Sequence, residues 1–178
     1  MAEPPTLAGA VGRPGPVFLR KLRRKNDWGD PATPLDERAA DLVKTAWKCE
    51  PHPKSPFSVF LVETDEDFHR VVIGMNGHRP SPTAESDFIA MFPGDLEAVG
   101  VRAERCPGVT LCAYANALHH DIPAKDEQLF AICRLLIERD LAPIHLSKGK
   151  IRPLVVRATE EGCLAVPNSS GCKVERCA

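Results

Sequence analysis

The chain has 178 residues, 43% hydrophobic and 26% charged, with 23 Lys and Arg against 24 Asp and Glu for a net charge of -1. That balance describes one globular domain with a tail or two, and it excludes collagen-like, fibrous and wholly disordered chains. No apolar run approaches the roughly 18 residues a membrane helix needs, and Met1-Ala2-Glu3-Pro4-Pro5 lacks the charged-then-apolar layout of a secretion signal. Seven cysteines, an odd number without such a signal, imply free thiols in a reducing cytoplasm.

Charge is unevenly spread. Residues 1–27 hold six basic side chains against Glu3 and Asp27, a surplus of four that leaves the other 151 residues at -5. Residues 1–32 are therefore expected to form a disordered Pro/Gly-rich arm, with Phe18 to Lys25 as two turns of basic amphipathic helix. Arg20, Lys21, Arg23, Arg24 and Lys25 make that arm a candidate contact for nucleic acid or an acidic protein, against the plainer reading of a solvated tail.

From residue 33 to 162 the pattern predicts a single α/β domain. Thr33-Pro34 opens a helix, with Ala39, Leu42, Val43, Ala46 and Trp47 at helical spacing, and Pro51 and Pro53 close it. Phe57 to Val62 is a nearly continuous apolar run, as in a strand buried on both faces. Thr64 and Asp67 form a capping pair ahead of Phe68, Val71, Val72 and Met75 at helical spacing. The β-branched Val71-Val72-Ile73 leaves a strand over 69–75 as the alternative.

Asp87 to Phe92 reads as a second strand, Pro93 to Val99 as a short helix and Val109 to Tyr114 as a third strand. Pro123 opens a helix with Leu129, Ile132, Cys133, Leu136 and Ile137 along one side. Ala142 to Leu146 is a short fourth strand, and a helix from Ser147 carries Ile151, Leu154, Val155 and Ala158. Residues 163–178 read as an irregular tail containing Cys163, Cys172 and Cys177. Four strand–helix alternations predict a mostly parallel four-stranded sheet with helices on both faces. If 69–75 is a strand, the class becomes α+β with a mixed sheet.

A parallel sheet binds ligands beyond the carboxyl ends of its strands. That rim would gather Glu63 and Asp65 after the first strand, Asn116, His119, His120 and Asp121 after the third, and Ser147, Lys148 and Lys150 after the fourth. His119-His120-Asp121 offers a proton acceptor oriented by a carboxylate, or the start of a metal site. Ser147-Lys148-Gly149-Lys150 at a helix start suits a phosphate-like or carboxylate anion. Each also has a plainer reading, as a surface loop and as an ordinary cap. Cys49 and His52, spaced as a thiol–imidazole or half-zinc pair, sit before the first strand, where Cys49 reads as a core cysteine, and the C-terminal thiols are one ligand short of a zinc set. No dinucleotide glycine fingerprint, HExxH, G-x-S-x-G or P-loop occurs, and the sequence leaves any cofactor unknown. The expectation is a small domain binding an anionic small molecule, with His119, His120 and Asp121 as its catalytic candidates. The alternative is a non-catalytic module that binds a partner through the basic arm.

Overall fold

The computed structural model describes residues 4–22, 28–44, 57–76, 85–106, 113–139 and 143–160. In chain order the elements are α1 (Leu7–Val11), β1 (Val17–Lys21), α2 (Leu35–Leu42), β2 (Phe57–Val62), α3 (Asp65–Asn76), β3 (Ser86–Met91) and α4 (Pro93–Ala98). There follow β4 (Glu104–Arg105), α5 (Ala113–Ala117), β5 (His119–Ile122), α6 (Asp126–Glu138), β6 (Ile144–Leu146) and α7 (Lys148–Glu160).

The sheet has six strands in the order β4-β5-β2-β1-β3-β6, and every neighbouring pair is antiparallel. The mostly parallel four-stranded sheet is thereby overturned. β2 and β3 run the same way and are joined by α3, but β1 lies between them and pairs antiparallel with both. Residues 69–75 lie inside α3, so the mixed-sheet alternative is not realised either.

Two strands account for the difference. Val17–Lys21 is not an amphipathic helix: Val17, Leu19 and Lys21 face one side of the sheet while Phe18 and Arg20 face the other. The second is β5, whose residues His119, His120 and Asp121 look like loop because only Ile122 is strongly apolar. The strand expected over 109–114 falls mainly on residues outside those described, and Ala113 and Tyr114 belong to α5.

Residues 4–22 of the expected arm are thus part of the body. The α1 segment docks on α3, where Leu7 donates its N–H to Asp65 Oδ1 at 2.6 Å and His69 Nε2 donates to the Pro5 carbonyl at 2.8 Å. Arg23, Arg24, Lys25, Cys49, His52 and the tail from 163 lie outside the described residues.

Helices cover both faces of the sheet. One layer packs α2, α4 and α6 on Phe18, Phe57, Val59, Ile89 and Met91. The other packs α1, α3, α5 and α7 on Val17, Leu19, Phe60, Val62 and Phe88. The α3 cap forms as its sequence indicates: Asp67 N–H donates to Thr64 Oγ1 and Thr64 N–H to Asp67 Oδ2, both at 3.1 Å. Asp95, 1% exposed, closes the α4 start by accepting from the Phe92 N–H and pairing with Arg139. Among the described residues no helix is long and apolar enough to cross a membrane.

Candidate functional site

Antiparallel pairing puts directly opposed residues on one face of the sheet. Asp121 stands opposite Ser58 on one side and opposite Glu104 on the other. Two residues back along β5, His119 shares that face. One polar row therefore crosses three strands, Glu104–Asp121–Ser58, with an imidazole beside it.

The row is internally oriented. Ser58 Oγ donates to Asp121 Oδ1 at 3.2 Å, so the hydroxyl serves to hold the carboxylate. His119 Nδ1 lies 2.7 Å from the Cys106 carbonyl oxygen. A carbonyl can only accept, so Nδ1 carries the proton and the neutral ring keeps its lone pair on Nε2. That Nε2 lies 3.8 Å from Asp121 Oδ1, wider than a hydrogen bond. The Phe60 ring packs edge-on against the imidazole at 5.4 Å and limits its tilt. The His119 and Asp121 side chains are 11% and 19% exposed.

Glu104 also lines a groove of about 720 Å³, together with Glu97, Gly100, Val101, Arg102 and Pro123. Gln128 Nε2 donates to the Val99 carbonyl at 3.3 Å, tying the groove wall to the first turn of α6.

The structure divides the expected rim. His120 points to the opposite face, where its ring lies edge-on to Phe18 at 5.6 Å and Nδ1 donates to the Leu118 carbonyl at 3.0 Å. Glu63 is exposed at the end of β2, Asp65 is taken up by the Leu7 N–H, and Asn116 is buried in α5. Ser147, Lys148 and Lys150 follow β6, four strand steps from β5, a spacing of about 19 Å. They also lie at the other end of the sheet: Leu146 pairs with Ser86 at the start of β3, whereas His119 pairs with Phe60 near the end of β2. Antiparallel order alternates carboxyl ends between the two edges of the layer, so no single rim collects them.

Two members of the row were not among the sequence candidates. Ser58 is the lone hydroxyl within the apolar run Phe57 to Val62, and that was its only signal. Glu104 belongs to a two-residue strand that no periodicity announces. Among the described residues no group of three or more His, Cys, Asp or Glu is placed to hold a metal ion.

The remaining basic residues of β1 serve the fold. Arg20 is 8% exposed, donates to the Ser58 carbonyl at 2.8 Å and lies over the Phe57 ring at 4.3 Å. Lys21 Nζ donates to the Met75 carbonyl at 2.9 Å. Neither is presented to a partner as the basic-arm reading requires. No protein-family model, curated protein or solved structure matches the chain.

Proposed function

We propose that this chain is a ligand-binding domain with acid–base capability, and that its site is the His119–Asp121–Glu104 row with the adjoining groove. A single observation carries the reading: the Cys106 carbonyl fixes the His119 tautomer, leaving the Nε2 lone pair beside an oriented carboxylate. A positioned acceptor of this kind takes a proton from a bound hydroxyl, amine or water. Once Nε2 is protonated, the ring and Asp121 face each other as an ion pair.

The ligand chemistry follows from the charges. Asp121, Glu104 and Glu97 oppose an anion, and Arg102 is the one cation among the described residues that line the groove. The site therefore suits a small polar molecule rich in hydrogen-bond donors, or one carrying an amine. This departs from the anionic ligand expected when the lysines were thought to share the rim.

The test is a thermal-shift screen of amines, polyols and amino-sugar-like compounds, with hits repeated on His119→Gln and Asp121→Asn. At a hundredfold excess over Kd, a ligand adds about 2.7 kcal/mol to the native state. The expected result is a rise in midpoint that both substitutions remove. Hits that stabilise the wild-type chain and the two variants equally would place the ligand elsewhere and sink this reading.

A further inference from the structure

The N-terminal segment is held through its main chain. Asp65 and His69 stand four residues apart on α3 and therefore share one side of that helix. Asp65 Oδ1 accepts the Leu7 N–H at 2.6 Å, and His69 Nε2 donates to the Pro5 carbonyl at 2.8 Å. The pair grips an N–H and a carbonyl two residues apart, with Thr6 extended between them at φ -91° and ψ 153°. Pro5 and Leu7 are buried, whereas Pro4, Thr6 and Ala8 are exposed. Leu7 enters the layer that holds Phe68, Phe92 and Ile144.

This segment has little structure of its own to rely on. An isolated helix shorter than about 12–15 residues is marginal in water, and α1 has five. Its order comes from the clamp and from Leu7, so residues 4–11 resemble a peptide that orders on docking. Residues 12–16, Gly-Arg-Pro-Gly-Pro, join it to β1 and are all exposed. Gly12 and Gly15 have φ of 78° and 117°, a region that only glycine adopts readily. Arg13 over the Phe92 ring ties this linker to the body.

We propose that the Asp65–His69 clamp is an interaction surface between two copies of this chain, each docking residues 4–11 on the other. Every contact the clamp makes within one chain is available unchanged between two, which makes exchange of a terminal segment a low-cost route to a dimer. Only the course of residues 12–16 has to differ, and extended they span about 17 Å. Pro14 and Pro16 fix their own φ, and Pro14 biases Arg13 toward extended backbone. A second copy is favoured over an unrelated peptide because Pro5-Thr6-Leu7 is the sequence seated in the clamp. The tethered segment competes at an effective concentration of about 1 mM, so exchange belongs to concentrated chains. The surface uses no residue of the His119 row and does not depend on that row binding anything.

The experiment is small-angle X-ray scattering of the full chain at about 50 μM and at about 1 mM, below and near that effective concentration. The scattering mass is expected to rise from that of a monomer toward that of a dimer. Asp65→Ala/His69→Ala is expected to stay monomeric at both concentrations, with circular dichroism verifying that it is folded. A second measurement uses a fluorescein-labelled peptide of residues 3–12 as the probe. The full-length Leu7→Asp variant, whose own segment cannot dock, is expected to bind it at least tenfold more tightly than wild type. Adding Asp65→Ala and His69→Ala to that variant should abolish the binding. The proposal is overturned by a wild-type monomer at about 1 mM, or by a dimer that persists without the clamp. It is also overturned if a folded Leu7→Asp chain fails to bind the peptide. Peptide capture by chains that stay monomeric would assign the clamp to a segment of another protein instead.

Discussion

Lys21 and Asn76 join the middle strand of the sheet to the end of α3: the ammonium donates to Asn76 Oδ1 at 2.8 Å and to the neighbouring Met75 carbonyl at 2.9 Å. A cation at a helix carboxyl end satisfies carbonyls that have no helical donor and complements the dipole there. Asn76 Oδ1 also accepts from Ser86 Oγ at 2.6 Å, and Asn76 Nδ2 donates to the Val72 carbonyl at 2.8 Å. Replacing Lys21 with Met keeps most of the side-chain volume but removes these bonds. The expected cost is about 1.5–3 kcal/mol, the range for hydrogen bonds to charged groups. Urea unfolding measures it, with the midpoint falling and the slope unchanged.

The N-terminal segment is expected to contribute to stability. Leu7 is buried in the layer containing Phe68 and Ile144, its N–H is held by Asp65, and Arg13 lies over the Phe92 ring. Leu7→Ala should cost about 2 kcal/mol, the low end for a buried leucine, because the site lies at the margin of the core. Removing residues 1–12 should lower the thermal midpoint by more than Leu7→Ala alone. Calorimetry on the two variants decides this, and an unchanged midpoint after truncation would show that the docked segment is energetically neutral.

Histidine tautomers provide a direct check on the candidate site. His119 donates through Nδ1 to the Cys106 carbonyl, whereas His69 donates through Nε2 to the Pro5 carbonyl. Long-range proton–nitrogen correlation spectra above the titration range should show opposite tautomers for these two rings. Asp121→Asn should leave the His119 tautomer unchanged, since the orienting acceptor is a backbone carbonyl. A His119 ring protonated on Nε2 would contradict the geometry on which the acid–base reading rests.

Thiol chemistry should separate two cysteines. Cys133 is buried in α6, and desolvation pushes its thiol well above the ordinary value, so thiolate is scarce there. Cys106 is only partly covered. Iodoacetamide followed by peptide mass spectrometry should find Cys106 modified under native conditions. Cys133 should react only as the chain unfolds. Early modification of Cys133 would mean that the packing between α6 and the sheet opens readily.

Helices α3, α6 and α7 were legible in the amino-acid sequence because their signals are local. Thr64 and Asp67 cap α3, the stripe from Leu129 to Ile137 defines the buried side of α6, and Ile151, Val155 and Ala158 do the same for α7. β2 and β3 were legible for a similar reason, being apolar runs of strand length. Strand direction is not local. Whether β2 and β3 become neighbours depends on a third segment entering between them, and β1 announces itself poorly because Arg20 and Lys21 look like solvated charges. Phe57, the Ser58 carbonyl and the end of α3 receive them, and these partners lie 37 to 55 residues further along the chain. The candidate site divides in the same way. His119 and Asp121 are near each other in sequence and remain together, whereas Ser58 and Glu104 reach them only through strand pairing. Antiparallel order then sends Ser147, Lys148 and Lys150 to the far edge and the other end of the sheet, because hydrogen bonding between strands, which no local pattern encodes, sets which ends meet.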